Sequence, residues 1–155
     1  MIKDRVEVLV IALGTPLLVG VYRDQKLIKS YQEQQKTSDI LPIVFNKILN
    51  DFELEAIYMA NGPGSFMAIK VGFVFLKTIS IALKIPLFGC DGFYFNQNSP
   101  IKAVANRYFM KKNGKIVIDI FDGDKKDIKD FKLPSILDKS IFKKEVEPLY
   151  VLPAV

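Results

Sequence analysis

The sequence contains no histidine and a single cysteine among its 155 residues. Without histidine, a serine-histidine-aspartate triad, a cysteine-histidine pair and every metal site built on imidazole are excluded by composition. The one thiol, Cys90, cannot form an internal disulfide, which agrees with a reducing compartment. Cys90 follows an apolar segment, and we interpret it as a small buried hydrophobe rather than a nucleophile.

Long apolar runs without charge are also missing. Charged residues interrupt the first seven positions, so we expect no secretory signal and a cytoplasmic location. Residues 66–83 have the length of a membrane span, but Lys70 and Lys77 fall inside them. A buried helix, and no membrane association, is the expectation.

The overall composition is that of a globular protein, with 50% apolar and 25% charged residues. The length suffices for one compact domain with a core and is too short for two large lobes. A net charge of +5 is compatible with an acidic partner or RNA, but the lysines are scattered among aspartates. A solvated surface is therefore the preferred interpretation of the charge.

The order of apolar segments predicts an α/β fold with a mixed sheet. Three short antiparallel strands come first and are followed by a helix, a strand, a helix and a strand. The predicted strands cover residues 6–12, 17–22, 27–32, 56–60 and 86–88, and the second helix covers residues 66–83. The first helix begins at the capping residues Thr37, Ser38 and Asp39. Two further strands, residues 103–109 and 115–121, flank a turn at residues 111–114, and a charged loop follows at 122–130.

A compact turn, residues 61–65, joins the 56–60 strand to the second helix. Gly62 and Gly64 permit backbone angles closed to other residues, and Pro63 stiffens the turn. The Ser65 hydroxyl is placed to cap the helix that Phe66 begins. The unpaired amides of the first helical turn make this junction a candidate anion site.

This turn resembles the Gly-Pro-Gly-Ser-Phe signature of the TsaB (YeaZ) family, which acts in making threonylcarbamoyladenosine in tRNA. The match runs through the five residues 62–66 and Gly72. Lys70 stands where the family usually has arginine, and Met67-Ala68 replaces its Thr-Gly pair. The residues assigned to the motif are Asn61, Gly62, Pro63, Gly64, Ser65, Phe66, Lys70 and Gly72.

The resemblance implies a ribonuclease H-like or actin-like lobe over residues 1–100, with a reduced C-terminal addition at 101–155 packed on it. Residues 147–150 resemble the family's proline-aromatic ending. The family's first hairpin often carries Asp-Thr-Ser, whereas this chain reads Leu13-Gly14-Thr15-Pro16. Without that carboxylate we expect no catalytic residue, no metal and no ATP held by this chain itself. Recruitment of the carboxylates Asp91, Asp119, Asp122 and Asp124 as metal ligands remains an alternative.

The resemblance also implies a non-catalytic scaffold that binds and activates TsaD through the two helices of the lobe. TsaE is a further partner, tRNA is reached indirectly through the complex, and ATP and Mg²⁺ are used by that complex. A homodimer through the same helices is an alternative. The residues predicted to form the interface are Leu41, Val44, Phe45, Ile48, Ile69, Phe73 and Leu76.

Other interpretations stay open at the level of sequence. The second helix is apolar on nearly every side apart from a stripe of Lys70, Lys77 and Lys84, so the C-terminal addition could cover it completely. The glycine turn at a helix start also fits a small actin-fold ATP-dependent phosphotransferase. A self-associating dimer with another role is the third alternative.

Overall fold

The computed structural model describes residues 2–151. Its main element is a five-stranded sheet in the order β3-β2-β1-β4-β5. The elements in chain order are β1 (Asp4–Ile11), β2 (Leu17–Arg23), β3 (Lys26–Glu33), α1 (Thr37–Asp51), β4 (Phe52–Ala60), α2 (Phe66–Leu83) and β5 (Leu87–Cys90). β1 to β3 are antiparallel neighbours, whereas β4 is parallel to β1 and β5 is parallel to β4. The predicted α/β class and the predicted order of elements are confirmed.

β1 illustrates why this sheet is central. Its side chains alternate between the two faces, and those on both faces are buried. Val6, Val8 and Val10 join one apolar cluster with α1 and α2, while Leu9 and Ile11 join a second cluster on the opposite face. A strand buried on both sides needs a covering layer on each side, and the two layers in this protein are built differently.

Both helices lie on one face of the sheet. α1 turns six residues inward, and α2 turns in a narrower set of Ile69, Gly72, Leu76 and Ser80. The rings of Phe45 on α1 and Phe75 on α2 meet edge to face, with their centroids 5.3 Å apart. This pair joins the helices side by side as one layer.

The predicted capping of α1 is wrong in detail. The helix begins at Thr37, which is buried, and the N-cap position is held by Lys36 without a side-chain hydrogen bond. The backbone carbonyl of Lys36 accepts from the amides of Asp39 and Ile40. The helix therefore starts at Thr37, the first of the three residues expected to cap it, and the cap position moves back to Lys36.

A second, three-stranded antiparallel sheet follows, in the order β6-β7-β8. It comprises β6 (Ile101–Lys102), β7 (Arg107–Lys112) and β8 (Lys115–Ile120). The predicted strand at 115–121 agrees with β8, whereas the one predicted at 103–109 overlaps β7 only at residues 107–109, so its bounds are wrong. A tight turn closed by the Arg107 amide donating to the Val104 carbonyl ends β6 and begins β7. Asn113 and Gly114, both at positive φ, make the predicted turn between β7 and β8.

The remaining residues, 121–151, form what we call the C-terminal strap, which covers the face of the five-stranded sheet opposite the helices. The strap pairs with the start of β3, where the Leu27 amide donates to the Ser135 carbonyl at 3.0 Å. It also pairs with β5, where Gly89 and Lys143 exchange two backbone bonds of 2.8 Å. The strap therefore crosses from one edge strand of the sheet to the other.

Side chains fasten the strap between these two edges. Leu137 is fully buried among residues of the sheet. The Tyr22 hydroxyl donates to the Pro134 carbonyl at 2.7 Å. Lys139 Nζ lies 2.8 Å from the carboxylate of Glu7, which also accepts from the Tyr58 hydroxyl at 3.0 Å. The strap is thus an integral layer of the fold. The division into a lobe at 1–100 and an addition at 101–155 stays a prediction, and residues 152–155 lie outside those described.

Candidate functional site

The motif turn lies where predicted, between β4 and α2. Ser65 is the N-cap of α2, and its hydroxyl accepts from the Ala68 amide at 3.5 Å. Gly72 faces the sheet, where an added Cβ would lie 3.4 Å from the Cβ of Ala12. Lys70 points outward and is exposed. The predicted helix start and its serine cap are confirmed.

Two neighbouring loops of the lobe hold the turn in place. The Ser65 amide donates to the Leu13 carbonyl at 2.8 Å, which ties the turn to the loop between β1 and β2. The Gly92 amide donates to the Gly62 carbonyl at 2.8 Å and ties it to the end of β5. The motif is therefore the point where three loops at one end of the sheet are joined.

The end of the C-terminal strap also docks on this turn. The Leu149 amide donates to the Asn61 carbonyl at 2.8 Å, and the Asn61 side-chain amide donates to the Glu147 carbonyl at 2.9 Å. The rings of Phe66 and Tyr150 follow, with centroids 4.8 Å apart. The proline-aromatic ending thus packs directly on the motif turn.

These contacts explain the two glycines of the motif. Gly62 has a φ of +139°, and a Cβ there would collide with the backbone of Leu149. A Cβ on Gly64 would collide with the Leu13 carbonyl. Because the obstacles are backbone atoms, a larger residue would push away either the strap or the first hairpin loop.

The same contacts bear on the expected anion site. The Ser65 amide is engaged by Leu13, and the Ala68 amide by the serine cap. Leu13, in the first hairpin loop, is buried, and residues 12–16 of that loop include no carboxylate. These residues do not fit a magnesium-bound nucleotide, since they supply no carboxylate to orient the metal and two amides of the helix start are already hydrogen-bonded.

A cleft of about 1210 Å³ opens beside the motif turn. One wall is formed by the first hairpin loop and the start of α2, including Gly14, Thr15 and Phe66. The opposite wall comes from the three-stranded sheet and the first part of the strap, including Arg107 and Lys129. No local sequence pattern indicates this cleft, because its walls are more than thirty residues apart along the chain.

The predicted partner interface must be corrected. Six of its seven residues, Leu41, Val44, Phe45, Ile48, Ile69 and Leu76, are buried in the protein's own core. Phe73 is partly buried and packs against the same core. The six buried side chains form the inner face of the helices, so they cannot meet a partner without unfolding the lobe, whereas Phe73 keeps part of its surface exposed.

The exposed apolar side chains of the helix layer lie on its opposite side, which we call the outer helix face. On α2 this face carries Met67, Val74 and Ile81, which are 60%, 56% and 67% exposed. Ile43 on α1 is 50% exposed. The lysine stripe Lys70, Lys77 and Lys84 is exposed as predicted. The strap covers the other side of the sheet, so complete burial of α2 beneath the C-terminal part is wrong.

The small residues of α2 could have indicated from the sequence which side of the helix faces outward. The residues of α2 that contact the sheet include Gly72 and Ser80, which are small enough for close approach to the strands. Reading these small residues as the inner side would have turned Val74 and Ile81 outward. By length and composition alone α2 would also reach across a bilayer, but its inner side packs on the sheet as in a core helix.

Three of the four carboxylates considered as metal ligands, those of Asp91, Asp119 and Asp124, have other contacts. Asp91 accepts from Lys111 Nζ at 2.7 Å and from the Phe93 amide at 3.0 Å. Asp119 lies 3.8 Å from Lys112 Nζ, and Asp124 accepts from the Lys126 amide at 2.9 Å. Within residues 2–151, no three acidic, cysteine or histidine side chains cluster as a metal site.

Cys90 is buried, as the sequence suggested. Burial, followed by the neighbouring Asp91 carboxylate, raises the pKa of the thiol to about 12. Hardly any thiolate exists at neutral pH, which speaks against a nucleophilic role.

Comparisons with known proteins agree with this fold. A family model described as TsaD, tRNA N6-adenosine threonylcarbamoyltransferase, matches residues 31–94. The tRNA threonylcarbamoyladenosine biosynthesis protein TsaB of Buchnera aphidicola subsp. Schizaphis graminum (strain Sg) is 33% identical over 78 residues. That alignment covers 46% of this chain and 37% of the relative, so it spans less than half of either protein.

Solved structures extend the similarity. YeaZ from Pseudomonas aeruginosa is similar with a TM-score of 0.60 at 12% identity, covering 74% of this chain and 64% of that one. A second structure, described as an uncharacterized protein with similarity to peptidase YeaZ from Pseudomonas aeruginosa, has a TM-score of 0.56 at 14% identity. It covers 75% of this chain and 67% of its own. At such identities these structures support the actin-like or ribonuclease H-like lobe.

Proposed function

We propose that this chain belongs to the TsaB (YeaZ) family, as its partial sequence match and its fold support, and that it acts in tRNA threonylcarbamoyladenosine biosynthesis as a non-catalytic subunit. In this proposal it binds and activates TsaD, which carries the chemistry. TsaE is a further partner of the complex, and ATP and Mg²⁺ are used there rather than by this chain. A cytoplasmic location stays a prediction.

The observation that carries the proposal is the outer helix face. Its apolar residues stand at positions 67, 74 and 81 of α2, one every seven residues, with Ile43 of α1 in the same layer. Such a row of exposed apolar side chains is the pattern of a helix that packs against another helix. Lys70 and Lys77 between them would add polar contacts at the rim.

TsaD is the proposed partner because part of this chain is similar to it. The match of residues 31–94 to a TsaD model includes both helices, so this part of the chain resembles the corresponding part of TsaD. Two lobes of similar shape can pair helix layer to helix layer in a nearly symmetric contact, as identical lobes do in a dimer. A homodimer would use the same face, which makes it the competing outcome.

The experiment is to mix the full-length chain with TsaD from the same organism and to measure the molar mass by light scattering on a sizing column. We expect one species with the summed mass of one copy of each protein. Separate peaks at all concentrations would contradict the proposal. A chain that stays a stable homodimer in the presence of excess TsaD would instead support a self-associating protein with another role.

An actin-fold phosphotransferase is the second candidate function, and one observation favours it. The first hairpin loop and the motif turn line the same cleft, which is where two parts of the chain could enclose a ligand. The first hairpin loop has Leu13 and no carboxylate, and the amides of Ser65 and Ala68 are already hydrogen-bonded. Both observations argue against a phosphotransferase. Magnesium-dependent ATP binding by the isolated chain, measured by calorimetry, would favour this candidate over the scaffold.

A further inference from the structure

The cleft beside the motif turn differs from the rest of the surface in its charge. Five cationic side chains line it, against the single carboxylate of Asp130. They are Lys102, Arg107, Lys125, Lys129 and Lys132. Within the described part of the chain none of the five has an ion pair within 4.0 Å. Their charge is therefore available to a ligand.

This local excess accounts for most of the net charge of the protein. Residues 101–132 contain nine lysines and arginines and five aspartates, a balance of +4 out of the total of +5. The remaining 123 residues are almost neutral. A basic groove on an otherwise balanced surface is the electrostatic pattern of a site for a phosphate backbone.

A buried polar atom in the wall of the cleft also lacks a partner. Asn96 is 2% exposed and lines the cleft. Its side-chain amide donates to the Ser99 carbonyl at 2.9 Å, which fixes the orientation of the group, and its Oδ1 atom accepts no hydrogen bond from residues 2–151. This acceptor has less than 1 Å² of accessible surface, so a ribose or base that carries hydroxyl or amino donors would pair with it after a small shift of the cleft wall.

The same cleft has aromatic surface near its mouth. Phe66 and Tyr150, which both line it, are 54% and 38% exposed and have their ring centroids 4.8 Å apart. Exposed rings beside cationic side chains are the combination on which unpaired bases stack in single-stranded nucleic acid complexes.

A nucleoside triphosphate fits these features less well than a strand. Two of the amides at the start of α2 that would cradle a triphosphate, those of Ser65 and Ala68, are engaged by the Leu13 carbonyl and by the serine cap. The cations come from two separate segments, the β6–β7 hairpin and the beginning of the strap, rather than converging at one helix start. At about 1210 Å³ the cleft also exceeds the size of roughly 300–1,000 Å³ common for small-molecule sites.

We propose that this cleft binds single-stranded RNA. The cations lining it contact the phosphates, the Phe66–Tyr150 pair stacks a base, and Asn96 Oδ1 accepts from a 2′-hydroxyl or a base amino group. The identification of that RNA with an unpaired region of the tRNA substrate rests on the proposed function. Binding of RNA by the isolated chain does not rest on it.

The test is fluorescence anisotropy with a labelled single-stranded RNA of about 12 nucleotides, within the range that such grooves bind, and the full-length chain. The double variant Arg107→Gln, Lys129→Gln removes two of the cations. We expect its affinity to fall about tenfold, and the slope of log K against log salt to become shallower by about 1.4, the value for two lost phosphate contacts. The same sequence as DNA is expected to bind more weakly than the RNA.

A matched control is available on the other side of the protein. Lys47→Gln, Lys84→Gln removes the same charge from the helix layer, where both lysines are exposed and neither lines the cleft, and is expected to keep wild-type RNA affinity. Equal weakening by the two double variants would reveal general charge attraction and overturn the proposal. DNA bound as tightly as RNA, or RNA fully displaced by a free mononucleotide at equal phosphate concentration, would also overturn it.

The RNA-binding test and the TsaD-binding test can fail independently of each other. An Arg107, Lys129 variant that still forms the complex with TsaD but no longer binds RNA supports both proposals. RNA binding without any complex would contradict the scaffold and leave the cleft assignment supported.

Discussion

The two faces of the five-stranded sheet are covered in contrasting ways. On one face, two regular helices of 15 and 18 residues present periodic apolar rows to the strands. On the other face, the C-terminal strap crosses the sheet with only short 3-10 turns and is held by backbone pairs at both edge strands. The helix layer leaves its outer side open, whereas the strap docks its own end on the motif turn.

This contrast separates two kinds of information in the sequence. A helix layer follows from local periodicity, and it always creates a second surface that must be solvated or covered. An irregular strap is specified by a few long-range contacts, which local patterns do not encode. The outer helix face and the basic cleft, one beside each layer, are therefore the places where function is best sought.

The largest effect is expected in the helix-side core. Phe45 is 1% exposed and meets Phe75, so Phe45→Ala should lower the free energy of unfolding by about 3–5 kcal/mol in urea denaturation. Ile43→Ala on the same helix, at a site that is 50% exposed, is expected to change it by about 0.5 kcal/mol or less. Equal effects of the two variants would mean that α1 is not oriented as described.

The strap side should respond almost as strongly. Leu137 is fully buried, and Leu137→Ala is expected to cost about 2–5 kcal/mol. The adjacent Ile136, at 52% exposure, provides the matched control, and its alanine variant should stay within about 0.5 kcal/mol of wild type. If truncation of Leu137 proved neutral, the strap would be a loose attachment rather than a layer of the core.

Alkaline pH should distinguish the two faces by a smaller effect. Burial raises the pKa of Tyr22, Tyr58 and Cys90, and all three belong to the strap-side cluster. For Cys90, with a folded pKa of about 12, the contribution to stability is complete below about pH 9, where the unfolded thiol is also protonated. It is lost as the pH rises further.

We therefore expect the free energy of unfolding to fall by about 1.4 kcal/mol per pH unit for each such group once its unfolded form ionises. Urea titrations between about pH 8 and 11 measure this slope. Cys90→Ala should show a shallower slope between about pH 9 and 10 than the wild type. A slope unchanged by this substitution would contradict the assignment of the thiol to that pH range.

Much of the fold could be predicted from the sequence. Short apolar strands, the serine cap at Ser65 and the apolar run of α2 each have a local pattern, and each was found in place. The strand predicted at 103–109 was placed too early because the turn between β6 and β7 contains Ala105 at positive φ, a conformation that no glycine indicates in the sequence. The strap was unforeseen as a sheet-covering layer, since its backbone pairs, Ile136 with Lys26 and Lys143 with Gly89, join residues far apart in the sequence.

The candidate site was predictable only in part. The motif turn was located correctly, but the need for Gly62 comes from Leu149, which lies far along the chain. The predicted interface consisted of the most hydrophobic residues of α1 and α2. Most of these residues are hydrophobic because they form the core. For a helix that is apolar on most sides, composition alone does not say which side faces the sheet.

Whether the outer helix face binds TsaD can be tested by comparing the TsaD affinity of two valine variants. Val74 on the outer helix face and Val104 beside the cleft are 56% and 78% exposed, so glutamate should be tolerated by the fold at both positions. In a titration by calorimetry, we expect Val74→Glu to weaken the complex by at least about tenfold, or about 1.4 kcal/mol, and Val104→Glu to leave its affinity unchanged. Unchanged affinity of Val74→Glu, or equal loss in both variants, would contradict the assignment of the outer helix face as the partner surface.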